Sequence, residues 1–133
     1  MKIYVFGNKD TPLDNRSFEV AEKLKHTEKN FEFIEVSPNK DLPVTERENV
    51  IILDTVEGIE KTTVLTENDF DKLVLSPNTT VHDFDLGFQL KYLKKIGKLG
   101  KVTIIGVPRE GEIDYFLIQS TLRKLVAHDM QGS

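Results

Sequence analysis

Short apolar blocks alternate along this chain with stretches in which apolar residues recur every three or four positions. An unbroken apolar run marks a strand covered on both faces, alternation marks a half-buried strand, and a recurrence near 3.6 marks a helix. KIYVFG (2–7) is a β-rich run closed by Gly7. LDNRSFEVAEKLKH (13–26) sets Phe18, Val20, Ala21 and Leu24 at helical spacing, with Asp14 placed to act as its N-cap. FEFIEV (31–36) alternates between Asn30 and Pro38 and predicts a half-buried strand. NVIILDTV (49–56) is continuously apolar up to Asp54, the pattern of a central strand. KTTVLT (61–66) is β-branched with polar alternation and predicts an edge strand, while TENDFDKL (66–73) supports at most one short helical turn. FDLGFQLKYLKKI (84–96) repeats Leu86, Leu90 and Leu93, a helix closed by Gly97 or Gly100. KVTIIGV (101–107) is a buried strand stopped by Pro108, and EIDYFLIQSTLRKLVAH (112–128) repeats Ile118, Leu122 and Leu125 with Tyr115 and Val126, a third helix.

The order β-α-β-β-β-α-β-α predicts an α/β fold, a mostly parallel twisted sheet flanked by helices. No repeat, linker or low-complexity tract divides it, so residues 1–133 form a single domain, with 129–133 a frayed tail. In such sheets ligands bind beyond the carboxyl ends of the strands. Three junctions therefore stand out. Asp14 lies in the segment after the first strand, Asp54 near the end of the third, and His82 in the segment leading into the Leu-periodic helix.

Composition narrows the chemistry. The chain has no cysteine, which excludes thiol catalysis, thiolate metal sites and disulfides and suits the cytoplasm. A net charge of −4 argues against a dedicated nucleic-acid binder. The apolar run in MKIYVFGN is too short for a signal peptide, and no run is long enough to insert in a membrane. Two carboxylates and an imidazole make an O,O,N donor set that suits Ni²⁺ or Zn²⁺ better than Mg²⁺ or Cu(I), with positions left open for another molecule's ligands.

Each of these residues also has an ordinary reading. Asp14 fits an N-cap as well as a ligand, Asp54 fits an Asx-turn after its strand, and His82 fits a solvated loop histidine. Asp83 and Asp85 fit the positive end of the following helix dipole, and His26 and His128 fit solvated helix C-termini. Lysines 91, 94, 95, 98 and 101 read first as a solvated face and second as a docking patch for an acidic partner. SPNK (37–40) matches S-x-x-K without its partner motifs, and the GNKDTP loop has one glycine where a dinucleotide fingerprint needs three.

The succession of motifs resembles the hydrogenase maturation proteases. VFGN (5–8) with Asp14 before SFEVAEKL is similar to that family's opening strand, G-x-G-N turn, acidic pair and first helix. VIILDTVEG (50–58) resembles its second acidic motif, and TTVLTENDF (62–70) the strand and acidic turn that follow. HDFDLGFQLKYL (82–93) resembles its histidine motif, and KVTIIGVPRE (101–110) its last strand. Departures cluster in the first motif. Val5 stands for the first glycine, Leu13-Asp14 for two adjacent acids, Asn15 for the next glycine and Ser17 for the one after.

The resemblance implies a three-layer, phosphorylase/hydrolase-like α/β sandwich and an endopeptidase. Such an enzyme removes the C-terminal extension of a nickel-loaded [NiFe] hydrogenase large-subunit precursor. Carried over by position, Asp14, Asp54 and His82 would be both the catalytic residues and the ligands that meet the substrate's nickel, with no tightly held metal of the enzyme's own. The expected partner is the precursor. The alternative expectation is a divergent, non-catalytic α/β binding or scaffold module that docks through the lysine-rich face.

Overall fold

One sheet of five strands organises the molecule in the computed structural model, which describes residues 1–6, 15–36, 48–56, 59–66 and 99–131. The elements are β1 (Lys2–Phe6), α1 (Arg16–Thr27), β2 (Glu32–Val36), β3 (Glu48–Val56), β4 (Thr63–Thr66), β5 (Leu99–Pro108) and α2 (Tyr115–Gln131). The strand order is β2-β1-β3-β5-β4. β1 runs parallel to β2 and β3, and β3 parallel to β5, while β4 joins β5 antiparallel. The expected α/β architecture, central third strand and edge position of the fourth strand are all present. The predicted turn over 66–73, apart from Thr66 at the end of β4, and the predicted helix over 84–96 lie outside the described residues, as does Gly97.

The apolar blocks explain the order. β3 sits in the middle and is buried from Val50 through Val56, which an unbroken VIIL run requires. One face of the sheet gathers Tyr4, Phe6, Val36, Val50, Ile52, Val56, Val102 and Ile104. The other gathers Ile3, Val5, Ile51, Leu53, Ile105 and Val107 against Val20, Ala21 and Leu24 of α1 and Ile118 and Leu122 of α2. Both described helices thus cover the same face.

Several boundaries depart from the sequence reading. α1 starts at Arg16 with Asn15, not Asp14, at its N-cap position, and Asn15 makes no side-chain capping bond. α2 starts at Tyr115 rather than Glu112, because Asp114 acts as its cap: the Leu117 N–H donates to Asp114 Oδ1 at 2.9 Å. α2 also runs to Gln131, so most of the expected frayed tail is helical; no helix breaker intervenes before Gly132. Gly100 lies in β5 and does not close a helix.

Candidate functional site

The carboxyl ends of β1, β3 and β5 face one rim of the sheet, and the first turn of α1 is bolted to all three. The Ser17 hydroxyl donates to the Phe6 carbonyl at the end of β1, 2.6 Å away. The Ser17 N–H donates to Thr55 Oγ1 on β3 at 2.8 Å. Both bonds are buried. An N–H in the first turn of a helix has no partner within the helix; here a hydroxyl from another strand supplies one. The Arg16 guanidinium reaches past β5, donating to the Pro108 carbonyl at 3.2 Å and to the Gly111 carbonyl. Gly111 has φ of +96°, a backbone conformation that side-chain-bearing residues rarely adopt, and so turns the chain sharply after β5.

Asp54 lies on this frame. It is only 2 % exposed and sits inside β3, two residues before the strand ends, paired in register with Gly106 of β5. It therefore does not close an Asx-turn. Strand alternation places its side chain with Ile52 and Val56, on the face opposite α1 and α2. Burying a carboxylate in an apolar strand is costly without a polar or charged partner, and Asp54 is not left without one. Gly106 beside it carries no side chain, and the next residue along that row, on β4, is Thr63.

Asp14 and His82 lie outside the described residues, as do Asp83, Asp85 and lysines 91, 94, 95 and 98. Of the lysine-rich face only Lys101 is described, and it is exposed. His26 is exposed in the last turn of α1. Among the described residues no three His, Asp or Glu side chains cluster to hold a metal ion, and no helix is long and apolar enough to cross a membrane.

The sequence reading passed over Arg16 and Thr55 and valued Ser17 only for its small size. The available signal was chemical: a hydroxyl at the first turn of a helix and another at the end of a buried strand, neither with an obvious local partner.

No protein-family model and no curated protein sequence matches the chain. Solved structures do. An endopeptidase from Escherichia coli aligns over 100 % of this chain and 94 % of its own, with a TM-score of 0.59 at 19 % identity. The hydrogenase-maturating endopeptidase HybD from E. coli aligns over 99 % of this chain and 94 % of its own, with a TM-score of 0.56 at 19 % identity. The chain has the fold of the hydrogenase maturation endopeptidases. Within the maturation-endopeptidase fold, the described rim supplies Asp54 at the end of the central strand and the Arg16–Ser17–Thr55 bonds that hold α1 against it.

Proposed function

We propose that the protein is an endopeptidase that removes the C-terminal extension of a nickel-loaded [NiFe] hydrogenase large-subunit precursor. Asp14, Asp54 and His82 are its nickel-reading and catalytic groups. The nickel is cargo carried by the substrate. The observation that carries this reading is Asp54: a carboxylate buried in the central strand, at the carboxyl end of the sheet, in a fold shared over nearly the whole chain with HybD. Apolar strands do not accept an acid there without chemical cause. In this reading the two carboxylates and the imidazole complete the coordination of an ion already held by the precursor. Without that ion the acids would face the substrate with no counter-charge, so cleavage waits for metal insertion. One of the acids then serves as general base toward water.

The test is to incubate the protein with hydrogenase precursor, with and without nickel, and follow loss of the extension by mass. Cleavage is expected only with nickel-loaded precursor. Asp14→Ala, Asp54→Ala and His82→Ala should each slow it by at least ~100-fold, the scale of a lost acid–base group, with circular dichroism unchanged. Undiminished cleavage by the triple variant would remove these residues from the mechanism. Absence of any cleavage by the unaltered protein would remove the peptidase assignment.

A further inference from the structure

A groove of about 750 Å³ opens at the same rim, between residues 60–62, which lead into β4, and residues 112–117, which follow β5 and begin α2. Its size falls within the usual range of ligand sites. Both walls come from segments that follow the carboxyl end of a parallel strand, where α/β sheets place their ligands.

The groove is held open by specific bonds. The Asp114 N–H donates to Thr62 Oγ1 at 3.0 Å, tying one wall to the other. Arg16 grips the carbonyl of Gly111, one residue before the second wall begins. Lys23 of α1 lies 5.2 Å from the centre of the Tyr115 ring and steadies it from behind. A site fixed in this way loses little freedom when something binds.

Its chemistry is two-sided. Ile113, Tyr115 and Leu117 give half-buried apolar surface. Three exposed acids, Glu60 on one wall and Glu112 and Asp114 on the other, outnumber the one cation of the lining, Lys61, and among the described residues neither Glu60 nor Glu112 makes an ion pair. Phe116, between two of the lining residues, is 82 % exposed, the large apolar side chain most open to water among the described residues. A lone exposed aromatic is ordinary. This one is not part of the groove lining; the apolar floor itself, flanked by an excess of acids, suits an occupant with alternating cationic and apolar side chains.

We propose that this groove docks an extended basic segment of the client polypeptide, an assignment that rests on the peptidase reading above. Thr63, just beyond the groove, shares a row with Gly106 and Asp54. Two inter-strand steps separate it from Asp54, roughly 10 Å. An extended chain covers that in about three residues at ~3.3 Å each. The groove-lining Ile113 and Tyr115 pack on the helix-covered face and Asp54 belongs to the other, so a segment seated in the groove reaches the Asp54 side only by turning over the rim, and the groove grips substrate beside the bond to be cut.

The experiment uses a fluorescein-labelled peptide of alternating lysine and leucine, and a counterpart with glutamate for lysine, read by fluorescence anisotropy on the full chain. The lysine peptide should bind and the glutamate peptide should not. The double variant E60K/E112K should weaken binding of the lysine peptide by about tenfold, as lost charge complementarity does. E32K/E35K makes the same change in net charge at exposed positions of β2, the sheet edge opposite β4, and should stay within about twofold, since exposed charges beyond the Debye length are screened. With precursor, E60K/E112K should raise KM and leave kcat unchanged. Equal weakening by the two double variants would overturn the proposal, as would equal binding of the two peptides. Groove-dependent binding of the lysine peptide by a protein that cleaves no precursor would instead refute the peptidase reading and leave the docking site standing.

Discussion

Two hydroxyls carry much of the geometry where α1 meets the sheet. Ser17 uses its side chain on β1 and its backbone N–H on Thr55 of β3. Where the resemblance to the maturation proteases leads one to expect a glycine, Ser17 brings a hydroxyl. Here the altered residue adds a bond and does more than occupy space. Thr55→Val keeps the shape and strips the acceptor, leaving the Ser17 N–H buried and unsatisfied. Such a loss costs about 1–3 kcal/mol. Urea unfolding should show it as a lower midpoint with an unchanged slope, and Thr55→Ser should restore most of it. A midpoint for Thr55→Val equal to that of the unaltered chain would mean that water replaces the hydroxyl. Asp54, one residue earlier, points to the opposite face, so this destabilisation should be separable from any effect on cleavage.

Among the elements, the two described helices behave as a pair. They lie on one face and run in the same direction, with Lys23 against Tyr115, Thr27 hydrogen-bonded to Gln119 at 3.4 Å, and Glu28 3.7 Å from Arg123. Residues 115, 119 and 123 form one stripe of α2. At the rim, Arg16 extends the pairing to the loop before α2. Arg16→Met keeps the stem and removes the donors. It should free two carbonyls, lower stability by about 1–3 kcal/mol, and speed amide exchange at residues 109–114 well before β5 opens. Uniform exchange across the chain would show that the guanidinium is not a local brace.

These bonds also explain which features were legible in the sequence. Strands were plain because VIIL, VTIIGV and IYVF each exceed what a helix of mixed polarity would carry. Helix starts were not. The start of α1 depends on a hydroxyl 38 residues away, and that of α2 on Asp114, whose N–H is held by a threonine 52 residues earlier. No local pattern encodes either contact. Of the candidate triad, Asp54 could be read from an acid interrupting an apolar strand, and the structure puts it at the expected sheet end. Asp14 and His82 lie outside the described residues.

At the scale of the whole molecule, stability is concentrated in β3 and its neighbours. Ile52 is fully buried, registers with Tyr4 on one side and Ile104 on the other, and belongs to the core face that α1 and α2 do not cover. Ile52→Ala should cost about 2–5 kcal/mol, by lost transfer energy and the cavity left behind. For a domain of ordinary stability, ~5–15 kcal/mol, that is enough to lower the thermal midpoint by many degrees. A small shift in calorimetry would mean that this face is loosely packed.

The strand order has a further consequence during synthesis. β3 obtains one neighbour from the chain before it, but the other, β5, begins at residue 99. At ~5–20 residues per second, a ribosome needs several seconds to make the intervening segment. Throughout that interval one flank of the most apolar strand has no mate, and its hydrogen-bonding edge invites pairing with a neighbouring nascent chain. Fragments ending before β5 should therefore precipitate or be captured by chaperones, and the sheet can close only when β5 has left the exit tunnel.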